Sequence, residues 1–272
     1  MSWGRANRLS RIINPTTGRT NMLAVDHGYF LGPTHGLEQP RERLAPLLAH
    51  ADALMATRGL IRAGMPASMP CSVVLRVSGG SSVVGPTLTD EHVLTSVEDA
   101  LRINAAAVAV SVFVGSEHES QTLRNLSTLV DRAQRYDLPV LAVTAVGKEL
   151  GQQDLRSVSL ATRICAELGA DIVKTYYVEG FESLVASAMV PVVIAGGKKL
   201  GITADALQLA FDAVTAGAAG IDFGRNCWQS EHPVAMIRAL RGIVHEGLDV
   251  SEALSLHSDI VGSPIAEPVR TG

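Results

Sequence analysis

The run Asp171-Ile172-Val173-Lys174-Thr175-Tyr176-Tyr177 is apolar at its start, carries one charge in its middle, and stands between helical patterns at residues 159–168 and 181–188. A strand framed by helices is the unit of a parallel sheet, because parallel neighbours need a long crossover connection. The unit recurs outward in both directions. Seven further strand-type runs lie at residues 22–25, 53–57, 72–77, 107–114, 139–144, 191–195 and 220–223, with helical spacing at 41–51, 97–104, 119–136, 203–216 and 232–246. Residues 59–70 are expected to be irregular, since Gly64, Pro66 and Pro70 break any long helix there.

Near-continuous apolar strands imply a sheet covered by helices on both faces. Eight of them in 272 residues fit an α/β fold of the closed (β/α)8 TIM-barrel type, which typically takes about 250 residues. An open doubly wound sheet is the competing architecture, but it usually carries a glycine-rich turn after its first strand, where this chain has Asp26-His27-Gly28. The reading is one barrel domain over residues 1–272. Residues 1–21 form a polar, turn-rich extension before the ordered body, and residues 251–272 a last short helix with a loose tail.

Composition excludes several functions. A net charge of -4 offers no basic stripe for a nucleic acid. Cys71, Cys165 and Cys227 are odd in number and unevenly spaced, which suggests neither a disulfide framework nor a metal site and fits a reducing cytoplasm. No apolar run approaches the roughly 18 residues of a membrane span, and Met1-Ser2-Trp3-Gly4-Arg5 does not open a signal peptide. The expected partners are small molecules.

Four lysines stand against nineteen arginines, and all four, Lys148, Lys174, Lys198 and Lys199, lie in or just after strand-type runs. An amine, unlike a guanidinium, can lose its proton when desolvated and attack a carbonyl. In a barrel the active site lies at the carboxyl ends of the strands. That rule gathers Asp26, Glu117, Lys148, Lys174, Lys198, Lys199 and Arg225 at one mouth. Alternation along the strand puts Ile172 and Tyr176 on the same face as Lys174. If that face is inward, Lys174 is either an imine-forming nucleophile, its proton loosened by Lys148, Lys198 or Lys199, or a buried cation paired with Asp26. Gly196-Gly197 after the seventh strand and Gly224-Arg225 after the eighth suggest a phosphate site, which this fold commonly builds from those two loops and a helix start. Asp26 is a candidate acid, base or orienting carboxylate. His27, next in sequence, points off the barrel axis unless the strand has already ended, and is either a loop residue or a substrate contact. Cys227 reads as a small buried hydrophobe.

Residues 22–30 (Met-Leu-Ala-Val-Asp-His-Gly-Tyr-Phe), 172–179 (Ile-Val-Lys-Thr-Tyr-Tyr-Val-Glu), 193–199 (Val-Ile-Ala-Gly-Gly-Lys-Lys) and 224–226 (Gly-Arg-Asn) resemble the class I aldolase superfamily that includes archaeal-type fructose-bisphosphate aldolases. Within it they are most similar to a thiolase branch that acts on a phosphorylated pentane-dione. The resemblance extends from Trp3 to about Val250. It implies a barrel, an imine-forming Lys174, Asp26 at the aldolases' active-site aspartate, and a phosphate cradle at Gly196, Gly197, Gly224 and Arg225, with Lys198 and His27 beside it. It also implies a homo-oligomeric ring, commonly a decamer, no bound cofactor, and coenzyme A as acyl acceptor. In that branch an acetyl group passes to coenzyme A and dihydroxyacetone phosphate is left. The sugar-phosphate aldolases carry a tyrosine proton donor at the end of the fifth strand, whereas the matching place here is Ala145 or its neighbour and the strand holds no tyrosine, which turns the expectation from aldol cleavage toward acyl transfer. The alternatives are a Schiff-base aldolase acting on another phosphorylated keto sugar, such as fructose 1,6-bisphosphate, and a phosphosugar sensor without catalysis.

Overall fold

The computed structural model describes residues 1–144 and 154–262. Eight parallel strands close into a barrel: β1 (Thr20–Ala24), β2 (Ala53–Thr57), β3 (Ser72–Arg76), β4 (Ala107–Val112), β5 (Val140–Thr144), β6 (Ile172–Thr175), β7 (Val192–Ala195) and β8 (Gly220–Phe223). They pair in sequence order and β8 returns to β1, with Met22 opposite Asp222. Closure leaves the barrel itself without a free edge. The strand-type runs thus become strands, with ends shifted by at most three residues; β1 starts two residues earlier than its run and most other changed ends are shorter.

Side-chain alternation sorts the chain into an interior and an outer shell. Inward positions of successive strands, among them Met22, Met55, Val74, Ala109, Leu141, Ile172 and Val193, form one buried apolar cluster inside the barrel. Outward positions such as Val173, Val108 and Val110 pack instead under the surrounding helices. The interior turns polar toward the carboxyl ends. Two residues beyond Val74, Ala109, Ile172 and Gly220 on their strands come Arg76, Ser111, Lys174 and Asp222, all buried.

The amino terminus differs from expectation. Residues 3–10 form helix α1 (Trp3–Ser10), capped by the Ser2 hydroxyl, which accepts from the Arg5 amide. Arg5 Nε lies 2.7 Å from Asp171 Oδ1, and Arg8 donates to the Ala105 carbonyl at 3.0 Å. Leu9, Ile12 and Ile13, one helical stripe in the sequence, pack onto the interior cluster from the end opposite the mouth, with Ile12 wholly buried. The segment is therefore a plug of the barrel floor and part of the ordered body.

Residues 59–70 are also more regular than expected. A short helix, α2 (Arg58–Gly64), starts at the Thr57 side chain, which accepts from the Leu60 amide. Pro66 and Pro70 fall beyond its end and so limit its length without preventing it. The outer ring includes α3 (Val97–Arg102), α4 (Glu119–Ala133), α5 (Leu155–Glu167), α6 (Phe181–Ser187), α7 (Thr203–Thr215), α8 (Arg225–Trp228), α9 (Pro233–Arg241) and α10 (Val250–Gly262). Among the described residues no helix is long and apolar enough to cross a membrane. Residues 77–96 make an excursion over the mouth, pinned by the antiparallel pairing of Ser78 with Val93 and Gly79 with His92.

Candidate active site

A cavity of about 280 Å³ opens at the carboxyl ends of the strands, and its wall includes Asp26, His27, Arg76, Lys174, Asp222 and Arg225. Lys174, next to last on β6, is 7% exposed, and Ile172 and Tyr176 share its face: Ile172 below it in the interior cluster, Tyr176 above it in the cavity wall. Its Nζ donates to Asp222 Oδ2 at 2.8 Å. The ion-pair partner is thus Asp222 on β8. Asp26 is engaged elsewhere, its Oδ2 accepting from Arg76 Nε at 2.8 Å.

The pairing of Lys174 with Asp222 has a geometric cause. β6 and β8 both flank β7, and in their registers Lys174 and Gly220 lie opposite Val193 while Asp222 lies opposite Ala195. The inward lysine therefore reaches the inward aspartate two strands away. Burial raises the pKa of Asp222, with Lys174 pulling the other way. Asp222 Oδ1 is buried without a hydrogen-bond partner among the described residues. A carboxyl in that state can take up a proton that the lysine gives away.

Asp26 has the opposite character. Burial pushes its pKa up, but Arg76, His27 and Lys174 outweigh it and hold Asp26 below the usual carboxylate range. Arg76 also donates from Nη1 to Ser111 Oγ at 2.7 Å and sits 5.5 Å from the Tyr29 ring centroid. Tyr29 donates to Glu91 Oε1 at 2.5 Å, and Ser78 donates to Glu91 Oε2 at 2.6 Å. Burial lifts the Tyr29 pKa well above its ordinary value, so the phenol keeps its proton. One wall of the cavity is thus a fixed polar network that ties the 77–96 excursion to β1, β3 and β4.

The opposite wall is made by the loops after β7 and β8. Arg225 Nη2 donates to the Gly197 carbonyl at 3.0 Å, Asn226 Nδ2 donates to the Gly196 carbonyl at 2.6 Å, and Asn226 Oδ1 accepts from the Leu200 amide at 2.7 Å. Gly196, Gly197, Gly224 and Arg225 all line the cavity. Gly197 has φ +67, a conformation that favours glycine. At Gly224 a Cβ would come 2.6 Å from both the Ala24 carbonyl oxygen and His27 Cε1. Arg225 Nε is buried without a hydrogen-bond partner among the described residues. Two bare glycine loops beside a guanidinium donor suit an anionic group.

Other candidates are placed less centrally. Lys198 and Lys199 are exposed, and Lys199 donates to the Gln229 carbonyl. Neither joins the cavity wall, so the described cations near Lys174 are Arg76 and Arg225. Glu117 is also exposed, beside His118. His27 points into the cavity, because β1 ends at Ala24 and the chain has turned by the time it reaches residue 27. Cys227 is buried and its thiol pushed up to about 12 by burial, the state of an inert core residue. Lys148 and Ala145 lie outside the described residues. Among the described residues no group of three or more His, Cys, Asp or Glu side chains could hold a metal ion.

A parallel barrel with a buried lysine beside carboxylates at its carboxyl end is the arrangement of lysine-bearing aldolase-type barrels. The chain belongs to the DeoC/LacD family of aldolases, which matches it over residues 20–230. It is 51% identical, over 94% of its length and 87% of the relative's, to a 3-hydroxy-5-phosphonooxypentane-2,4-dione thiolase of Photorhabdus laumondii. An archaeal fructose 1,6-bisphosphate aldolase superposes with a TM-score of 0.80 at 29% identity, covering 89% of this chain and all of that one. A second archaeal structure of that aldolase, with its catalytic lysine covalently bound to a carbinolamine intermediate, gives a TM-score of 0.78 at 28% identity, over 89% of this chain and 99% of that one.

Proposed function

We propose that the chain is a thiolase that moves an acetyl group from 3-hydroxy-5-phosphonooxypentane-2,4-dione to coenzyme A, releasing dihydroxyacetone phosphate. The observation that carries this reading is the 51% identity to a thiolase of that name along nearly the whole chain, and the polar barrel mouth supplies parts for each step. The substrate phosphate binds at Gly196, Gly197, Gly224 and Arg225. This sets the adjacent ketone, C4, toward Lys174. Asp222 takes the lysine's proton, the amine adds to C4, and water leaves to give an iminium ion. The thiol sulfur, stripped of its proton, adds to the acetyl carbonyl, C2. The C2–C3 bond then breaks and its electron pair flows into the iminium as an enamine. C3 gains a proton, and water releases dihydroxyacetone phosphate from Lys174. Asp26, held ionised by Arg76, orients the C3 hydroxyl.

Coenzyme A enters as a substrate, and the chain works as a ring-shaped homo-oligomer, a decamer by family resemblance, which light scattering of the purified protein measures. Aldol cleavage of fructose 1,6-bisphosphate is the second reading, favoured by the likeness to the archaeal aldolases. Ala145 weighs against it, because aldol cleavage needs a group to remove the alcohol proton. The test supplies the phosphorylated dione and coenzyme A to the purified chain and measures products. Acetyl-coenzyme A and dihydroxyacetone phosphate in equal amounts are expected. No thioester, with brisk cleavage of fructose 1,6-bisphosphate, overturns the proposal.

A further inference from the structure

The proposed reaction moves a proton off sulfur and puts one on C3, and most acidic groups at the mouth are already committed. Asp26 is bound by Arg76, Asp222 by Lys174, and Glu91 accepts from both Tyr29 and Ser78. His27 is different. Its Nδ1 is buried with no hydrogen-bond partner among the described residues and lies 3.8 Å from Asp26 Oδ1, beyond hydrogen-bond range. The ring packs in a T-shaped contact with Trp228, at 5.6 Å between centroids, and against Phe30 at 6.0 Å. Its Cε1 lies over Gly224, where a side-chain Cβ would come within 2.6 Å. His27 therefore stands between the phosphate loop and the Asp26 carboxylate, in the wall of the cavity that holds Lys174.

We propose that His27 is the base that removes the proton from the acceptor thiol and delivers it to C3 of the departing fragment. The proposal rests on the thiolase reading above. The imidazole nitrogen takes the S–H proton, sulfur bonds to C2, and the C2–C3 electron pair enters the iminium. The enamine then takes the same proton from the imidazolium at C3. The thiol loses one hydrogen, dihydroxyacetone phosphate gains one, and the imidazole is restored with no outside acid or oxidant.

The charged groups facing His27 come from four strands and their loops: Asp26, Arg76, Lys174 and Arg225. Burial, together with the three cations and against Asp26, lowers its pKa to about 4. The free imidazole is therefore uncharged at neutral pH and able to accept. A phosphate bound at Arg225 offsets one of those cations and makes the imidazole more basic. Proton uptake is thereby tied to occupancy of the phosphate site.

The experiment uses the full chain and His27→Gln, which keeps polarity and loses the base. Both are assayed with the phosphorylated dione and a series of thiols running from coenzyme A to strongly acidic thiols already ionised at the assay pH. His27→Gln is expected to form acetyl-coenzyme A about 100-fold more slowly or worse, to regain with the acidic thiols most of its rate of thioester formation in a single turnover, and still to label at Lys174 with dihydroxyacetone phosphate and borohydride. The variant should also lose exchange of deuterium from D2O into the hydroxymethyl carbon of dihydroxyacetone phosphate. An undiminished rate with coenzyme A overturns the proposal, and so does an equal loss with every thiol. Loss of Lys174 labelling together with the rates makes His27 structural and also overturns it. If the wild-type chain forms no thioester with any thiol, the thiolase reading itself falls and this assignment with it.

Discussion

Lys174 Nζ and Asp222 Oδ2 are 2.8 Å apart inside the barrel, and the second Asp222 oxygen has no hydrogen-bond partner among the described residues. The pair is a proton store with one side open. An amide at 222 can still accept from the lysine but cannot take its proton. Asp222→Asn is expected to slow borohydride-trappable imine formation about 100-fold or more, with a smaller change in the affinity for dihydroxyacetone phosphate. Trapping rate against ligand concentration separates the two. An unchanged trapping rate would remove Asp222 from the mechanism.

Lys174 was legible in the sequence because lysine is scarce and this one interrupts an apolar strand. The same period-two rule marks Arg76 and Asp222, each two residues after an inward position, Val74 and Gly220, in a run that reads as strand. Neither stands out by rarity, arginine and aspartate being common here, so the polar layer was only partly visible. The pairing of Lys174 with Asp222 needs the barrel closed, since it depends on registers across β7. The floor plug was written in Leu9, Ile12 and Ile13, but three apolar residues in a polar stretch do not reveal what they cover. The exposure of Lys198 and Lys199 follows from the turn after β7, whose course the pattern does not encode.

Arg76 is buried and pairs with an equally buried Asp26. Removing one partner of a buried pair strands the other charge, at a cost of about 3–5 kcal/mol. Arg76→Met is expected to lower unfolding stability by that order, read from the denaturant midpoint at unchanged slope. Asp26→Asn should also destabilise, by less, because the amide still accepts from the guanidinium. Equal stability of Arg76→Met and wild type contradicts this account of the wall.

Arg225 ties the two glycine loops, and its Nε has no hydrogen-bond partner among the described residues. A hydrogen bond to a charged group contributes about 1.5–3 kcal/mol. Arg225→Met should therefore weaken competition by inorganic phosphate and raise KM for the phosphorylated dione about 10-fold to 100-fold, changing kcat less. A kcat loss at constant KM would place Arg225 in the chemistry instead of the binding.

His27 also makes acid stability measurable. Its folded pKa is about 4, below the ordinary value of 6.5, so between those values the unfolded chain binds more protons at this position than the folded one. Stability rises with pH through that window and is lost as pH falls from about 6.5 toward 4, by about 3 kcal/mol from this residue at the most. His27→Gln should show a shallower loss than wild type across the window, in urea unfolding at matched pH. Parallel curves would mean that His27 titrates normally in the folded state.

The central claim is that Lys174 forms an imine with the three-carbon phosphate fragment. The measurement is reduction of the active chain with borohydride in the presence of dihydroxyacetone phosphate, followed by peptide mass analysis and by assay of the remaining thiolysis. A single added mass on Lys174, inactivation in proportion to labelling, and no labelling in Lys174→Met are expected. Activity that survives exhaustive reduction, with Lys174 unmodified, would contradict it.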